Sequence, residues 1–133
     1  MTLRRSRMFL ALSVVPVLAI ISCNREKHHD FTVHTVSISN CTPTPDPVTL
    51  WVSAGDQVKW VNADALASYQ ITFGSPSPFT AGTTFPLPQG GSVSSGGISS
   101  SAAQCAGQPN CSFKYTVAGS NGCSLDPKVI IQP

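Results

Sequence analysis

Histidine, methionine and charge are scarce in this 133-residue chain. Its three histidines, His28, His29 and His34, all precede residue 35, and its two methionines are Met1 and Met8. A serine nucleophile would find only His34 as a base in the folded region, and no tight elbow surrounds any serine, so chemistry of that kind is excluded. Only 11% of residues are charged. No cluster of Lys or Arg follows the leader to track a phosphate backbone, which excludes DNA and RNA. No apolar run is long enough for a secure membrane span, and no stretch repeats apolar residues at the helical period. Glu26, Asp46, Asp56, Asp64 and Asp126 are accounted for by turns, strand connections and solvation, so the sequence reads as no enzyme.

What is present begins with a leader. Arg4, Arg5 and Arg7 precede an apolar segment from Met8 to Ile21, which ends on Ser22 and Cys23. This order resembles the signal of bacterial lipoproteins, with Ile20 in place of the preferred leucine; a plain secretory signal is the competing reading. The resemblance implies a signal peptide at residues 1–22, cleavage before Cys23, a thioether lipid on Cys23 and an acyl chain such as palmitate on its amine. It places the protein in the bacterial cell envelope, held to the membrane through Cys23. With Asn24 following the cysteine, the resemblance leans to the periplasmic side of the outer membrane if the source is diderm. The 111 residues that remain carry five basic and six acidic side chains, so net charge moves from +2 to −1. Residues 23–30 read as a polar tether, on which His28 and His29 are adjacent imidazoles without a preorganised metal site.

The folded part is expected over residues 31–133. Val48, Leu50 and Val52, then Val58, Trp60 and Asn62, then Tyr69, Ile71 and Phe73 alternate with more polar neighbours, separated by the Ala54-Gly55-Asp56 turn and a polar connection. This predicts three antiparallel strands. A first strand is expected from Phe31 to Ile38, its phase slipping near Val36. Cys41 to Pro47 is a proline-punctuated edge connection, and Thr83 to Leu87 an edge strand. Phe79, Phe85 and Leu87 are read as anchors of a long Ser/Gly-rich loop. Phe113, Tyr115 and Val117 alternate in a late strand, and Lys128 to Gln132 forms the last. Seven or eight short strands without a convincing helix predict an all-β Greek-key β-sandwich. Trp51, Trp60, Tyr69 and Tyr115 are explained by its core and rim.

The run from Ala54 to Asn62, the Tyr69 to Phe73 strand, and the Phe113 to Val117 strand ahead of Val129-Ile130-Ile131 resemble the cupredoxin family, plastocyanin-like proteins included. The resemblance covers about residues 31–133 and implies a cupredoxin-like sandwich. In members with mononuclear blue copper, a histidine stands at the position of Tyr69 and a cysteine at that of Val117. A second histidine, and often a methionine, occupies the loop corresponding to Ala118 to Pro127. Tyr69 and Val117 cannot supply an imidazole and a thiolate, and that loop holds Cys123 but neither histidine nor methionine. The expectation is therefore a copper-free, envelope-anchored binding or structural module, with no metal, cofactor or catalytic residue and with an unidentified envelope protein or glycan as partner. The alternative is a copper-binding or electron-transfer protein with an atypical site.

Cys41, Cys105, Cys111 and Cys123 form an even set in an exported chain, which allows three pairings. The cupredoxin resemblance implies that the strand after Cys41 runs parallel to the terminal strand after Cys123. The pairing it favours is Cys41 with Cys123 and Cys105 with Cys111.

Overall fold

A computed structural model describes residues 28–133; the leader and Cys23 lie outside them. The chain forms β1 (Val33–Ser39), β2 (Thr42–Thr44), β3 (Val48–Trp51), β4 (Gln57–Asn62), β5 (Tyr69–Phe73), β6 (Thr84–Leu87) and β7 (Ser92–Ser94). A short helix α1 (Ser100–Cys105) follows, then β8 (Ser112–Gly119), β9 (Ser124–Leu125) and β10 (Lys128–Gln132). One sheet has the order β2-β1-β4-β7; the other is β3-β10-β8-β5-β6, with β9 also paired to β8. This is an all-β, cupredoxin-like sandwich.

The alternating rows face each other across the core. Val36, Ile38, Val58 and Trp60 come from the first sheet, and Leu50, Ile71, Val117, Val129 and Ile131 from the second; each is fully buried. Trp60 sits at the centre of an aromatic cluster, with ring centroids 5.1 Å from Phe85, 5.8 Å from Phe79 and 6.0 Å from both Phe73 and Tyr115. Phe79, Phe85 and Leu87 are buried, as expected of loop anchors. Burial pushes the Tyr115 phenol up to about 12, against an opposing pull from Trp60. Trp60 Nε1 is buried without a hydrogen-bond partner.

Several expectations are corrected. The three stretches from Val48 to Phe73 do not form a meander: β3 pairs in parallel with β10, β4 in parallel with β1, and β5 lies between β6 and β8. The Ala54-Gly55-Asp56 turn carries the chain from one sheet to the other. Alternation reports which side chains are buried, and a strand that changes sheet keeps the same pattern as one that turns back. The first strand pairs without interruption from Val33 to Ile38, with Phe31 and Val33 exposed, so its core phase begins at Val36 and needs no bulge. The helix was not expected. Its six residues start at a Ser99 cap, whose hydroxyl accepts from Ala102 N at 3.3 Å, and the loop after them is closed by a Cys105–Cys111 disulfide.

Asp56 does more than close its turn. Its buried carboxylate accepts from Thr32 N at 2.9 Å, from Trp51 N at 3.1 Å and lies 2.8 Å from His34 Nε2, tying together the starts of β1 and β4 and the end of β3. Asp56→Ala would leave two backbone donors without their acceptor and is expected to cost about 2–3 kcal/mol. Asp56→Asn keeps one acceptor oxygen and should lose less. Urea unfolding of the two variants measures the difference, and equal losses would show that the carboxylate's hydrogen bonds are not what matters there.

Candidate functional site

β1 and β4 end, and β5 begins, at one pole of the sandwich, where β8 also finishes. Ser39 pairs with Thr42 across Asn40 and Cys41, whose φ values of 47° and 61° make a hairpin turn with two left-handed residues, neither of them glycine. Such a turn is unfavourable for side-chain-bearing residues unless its surroundings hold it. Here both turn amides are captured. Asn40 N donates to Asp64 Oδ2 at 2.8 Å, and Cys41 N donates to Tyr69 Oη at 3.4 Å. The Tyr69 hydroxyl in turn donates to Asp64 Oδ2, and Ser39 Oγ donates to Asp64 Oδ1 at 3.2 Å.

Asn62 at the end of β4 fixes the loop that delivers Asp64. Its Nδ2 donates to Ala67 O at 2.7 Å and to Pro88 O at 3.0 Å, while its Oδ1 accepts from Asp64 N at 2.8 Å. This buried asparagine is therefore fully used in positioning the loop. Cys41 is bonded to Cys123 with a Cα–Cα distance of 5.9 Å, which joins the β1–β2 turn to the loop after β8. Gly119, paired with Tyr69, makes the approach feasible: a Cβ there would stand 2.8 Å from Cys123 Sγ and 2.9 Å from a Tyr69 ring carbon. An open groove of about 790 Å³ runs beside this cluster between Gln70, Leu87 and Ser120.

The Tyr69 hydroxyl, and next the Asn40 amide, hold the Asp64 carboxyl below its ordinary pKa, whereas burial and the neighbouring Asp64 raise that of Tyr69. A depressed carboxylate contributes stability that is complete above its unfolded pKa and is lost as pH falls through its folded one. Tyr69→Phe is expected to return Asp64 toward its ordinary value and to weaken that acid-side dependence. Carboxyl NMR titration reads this directly; an unmoved Asp64 would rule out the phenol as the main cause.

The other residues singled out in the sequence are dispersed. Val117 is fully buried opposite Ile71 and Leu125 and belongs to the core. His34 lies in β1 toward the other pole, His28 faces Asp30 at 3.4 Å, and His29 stacks on Trp51. Cys105 and Cys111 clip the loop after α1. Among the described residues no three or more His, Cys, Asp or Glu side chains are placed to hold one metal ion. The pole therefore does not fit a mononuclear blue-copper centre: it has no imidazole, and its two sulfurs are bonded to each other. Asp46 accepts from Lys128 N at 3.1 Å and Asp126 from Thr116 Oγ1 at 3.0 Å, so these carboxylates hold strand ends. The sequence marked Tyr69 and Cys123 but missed the Asp64–Tyr69–Asn40 network; only Asp64 in a polar loop five residues before a strand-opening tyrosine hinted at it.

No protein-family profile and no curated sequence matches the chain. Solved structures similar to it are amicyanins. An oxidized mutant is 17% identical over 75% of this chain and 82% of its own, with a TM-score of 0.49. A Cu(I) mutant form is 16% identical over the same shares, also at 0.49. Amicyanin from Paracoccus versutus is 15% identical over 75% and 81%, at 0.44. The expectation of a copper-free binding or structural module is corrected to this extent: the solved structures that resemble the chain are of amicyanin, one of them a Cu(I) form, and the alternative of a copper-binding or electron-transfer protein with an atypical site is taken up as a proposal.

Proposed function

We propose that the chain is an envelope protein, anchored through a lipid on Cys23, that handles electrons through an atypical pole centred on the Cys41–Cys123 disulfide. One observation carries this reading: Cys123 lies in the loop where the cupredoxin resemblance puts metal ligands, and its disulfide to Cys41 is packed beside Tyr69. Cys41 is buried and Cys123 is partly exposed, so an incoming thiolate reaches Cys123 first. A dithiol donor would attack Cys123 Sγ, releasing Cys41 as a thiolate that takes up a proton. Its second thiol then resolves the mixed disulfide and releases Cys123. Two electrons and two protons pass to the chain, and the donor leaves as a disulfide.

The test is a redox titration of the mature chain with thiol mapping, paired with copper titration of the oxidised and reduced forms. The reading expects reversible opening of Cys41–Cys123 at a potential above about −300 mV, the region below which structural disulfides typically lie. Copper taken up only by the reduced form would support the same pole. A disulfide that resists reduction there, with copper bound by neither form, would overturn the proposal. Intact-mass measurement of the native protein and of Cys23→Ala tests the anchor separately.

A further inference from the structure

The tether joins the sandwich at the pole opposite the Cys41–Cys123 disulfide, because β1 runs from Val33 at one end to the Asn40-Cys41 turn at the other. Around its start several apolar side chains stand at the surface, next to the exposed His28 and Asp30. Phe31 is 57% exposed and Val33 42%, Trp51 is half-buried, and Val52 lies next to it. Asp56 draws their backbones together, since its two carboxylate oxygens bind Thr32 N, between Phe31 and Val33, and Trp51 N. His29 covers one face of the Trp51 ring, with centroids 3.8 Å apart and planes 11° from parallel.

We propose that Phe31, Val33 and Trp51 form a membrane-resting face that sits in the headgroup–acyl boundary of the bilayer holding Cys23. The inference rests on the proposed lipid anchor and is independent of the redox reading. Eight positions separate Cys23 from Phe31, at most about 28 Å of extended chain, so this pole is the part of the domain the anchor brings to the surface. An indole and a phenyl ring beside aliphatic side chains suit the interface, where an apolar body and a polar edge are both satisfied. Leu66, 90% exposed in the loop that also carries Asp64, then faces the aqueous side with the disulfide, where a partner can reach it.

The chain carries its own reporter, since its only other tryptophan, Trp60, is fully buried. The mature chain, its other four cysteines paired, is coupled through Cys23 to a maleimide lipid in phosphatidylcholine–phosphatidylglycerol vesicles. Their acyl chains are brominated close to the carbonyl. Trp51 emission should be quenched to roughly half or less and become shielded from aqueous iodide. Trp51→Phe should abolish the lipid quenching, leaving the Trp60 emission unchanged, and Phe31→Ser with Val33→Ser should diminish it. A Trp51 unquenched by the lipid and as open to iodide as in the uncoupled chain would overturn the orientation. Chemical coupling does not depend on natural lipidation, so an unlipidated native protein, found by intact mass, would instead remove the anchor and with it the biological proposal.

Discussion

Replacing Cys41 and Cys123 together by serine is expected to lower the stability of the domain by about 4.5 kcal/mol. The bridge spans 82 positions, and the chain-entropy relation gives that value for the closure it imposes on the unfolded chain. The Cys105–Cys111 bridge spans only 6 positions, and the same relation gives about 2.4 kcal/mol for its removal. The larger loss corresponds to a fall in Tm on the order of 20 °C for a domain of this size. Urea unfolding of the two double-serine variants checks both the size and the order of these effects. A Cys41/Cys123 variant within about 1 kcal/mol of the parent would show that the native state gains nothing from the closure, or that the unfolded chain is already compact. The same quantity couples redox state to fold: reduction at the pole should loosen the domain by as much as the serine pair does. The electron-transfer proposal therefore requires the reduced chain to stay folded, which is measurable in the same experiment.

Trp60→Ala is the second large expectation, at about 4 kcal/mol. The side chain is fully buried and touches the rings of Phe73, Phe79, Phe85 and Tyr115, which come from β5, β6, β8 and the loop between β5 and β6. Those neighbours cannot all collapse into the vacated volume, so the lost transfer energy is joined by a cavity cost. Trp60→Phe should cost much less, because it keeps an aromatic ring and removes a buried N–H without a hydrogen bond. Equal losses in the two variants, measured by urea unfolding, would contradict this account. Alkali probes the same cluster. The Tyr115 pKa is raised to about 12 by burial, so its contribution is complete below the unfolded value near 10 and is lost as pH rises from about 10 to 12.

Much of the core was legible because burial imposes a period of two on a strand. Leu50, Trp60, Ile71, Tyr115 and Ile131 could be placed inside from their spacing alone, and all are buried. Phe31 and Val33 fit the same pattern but face solvent, since β1 meets β4 from Val33 onward and the first core position is Val36. The short helix gave no periodic signal, because six residues held by one cap and one disulfide need no amphipathic face.

At the candidate site the division is sharper. The sequence by itself determined that the loop after the Phe113 to Val117 strand has a cysteine without histidine or methionine, that Tyr69 opens a strand, and that the chain builds an all-β sandwich. Only the tertiary structure decided that Asn40 and Cys41 form a left-handed turn held by Asp64 and Tyr69, 24 and 28 positions away, and that Gly119 lets Cys123 approach the phenol. It alone also brought Thr32 and Trp51 together on the buried Asp56 carboxylate at the opposite pole. The physical reason is that periodicity is a local property enforced residue by residue through burial. Strand partners, sheet changes and polar contacts between loops depend on how distant segments share a limited set of acceptors and donors.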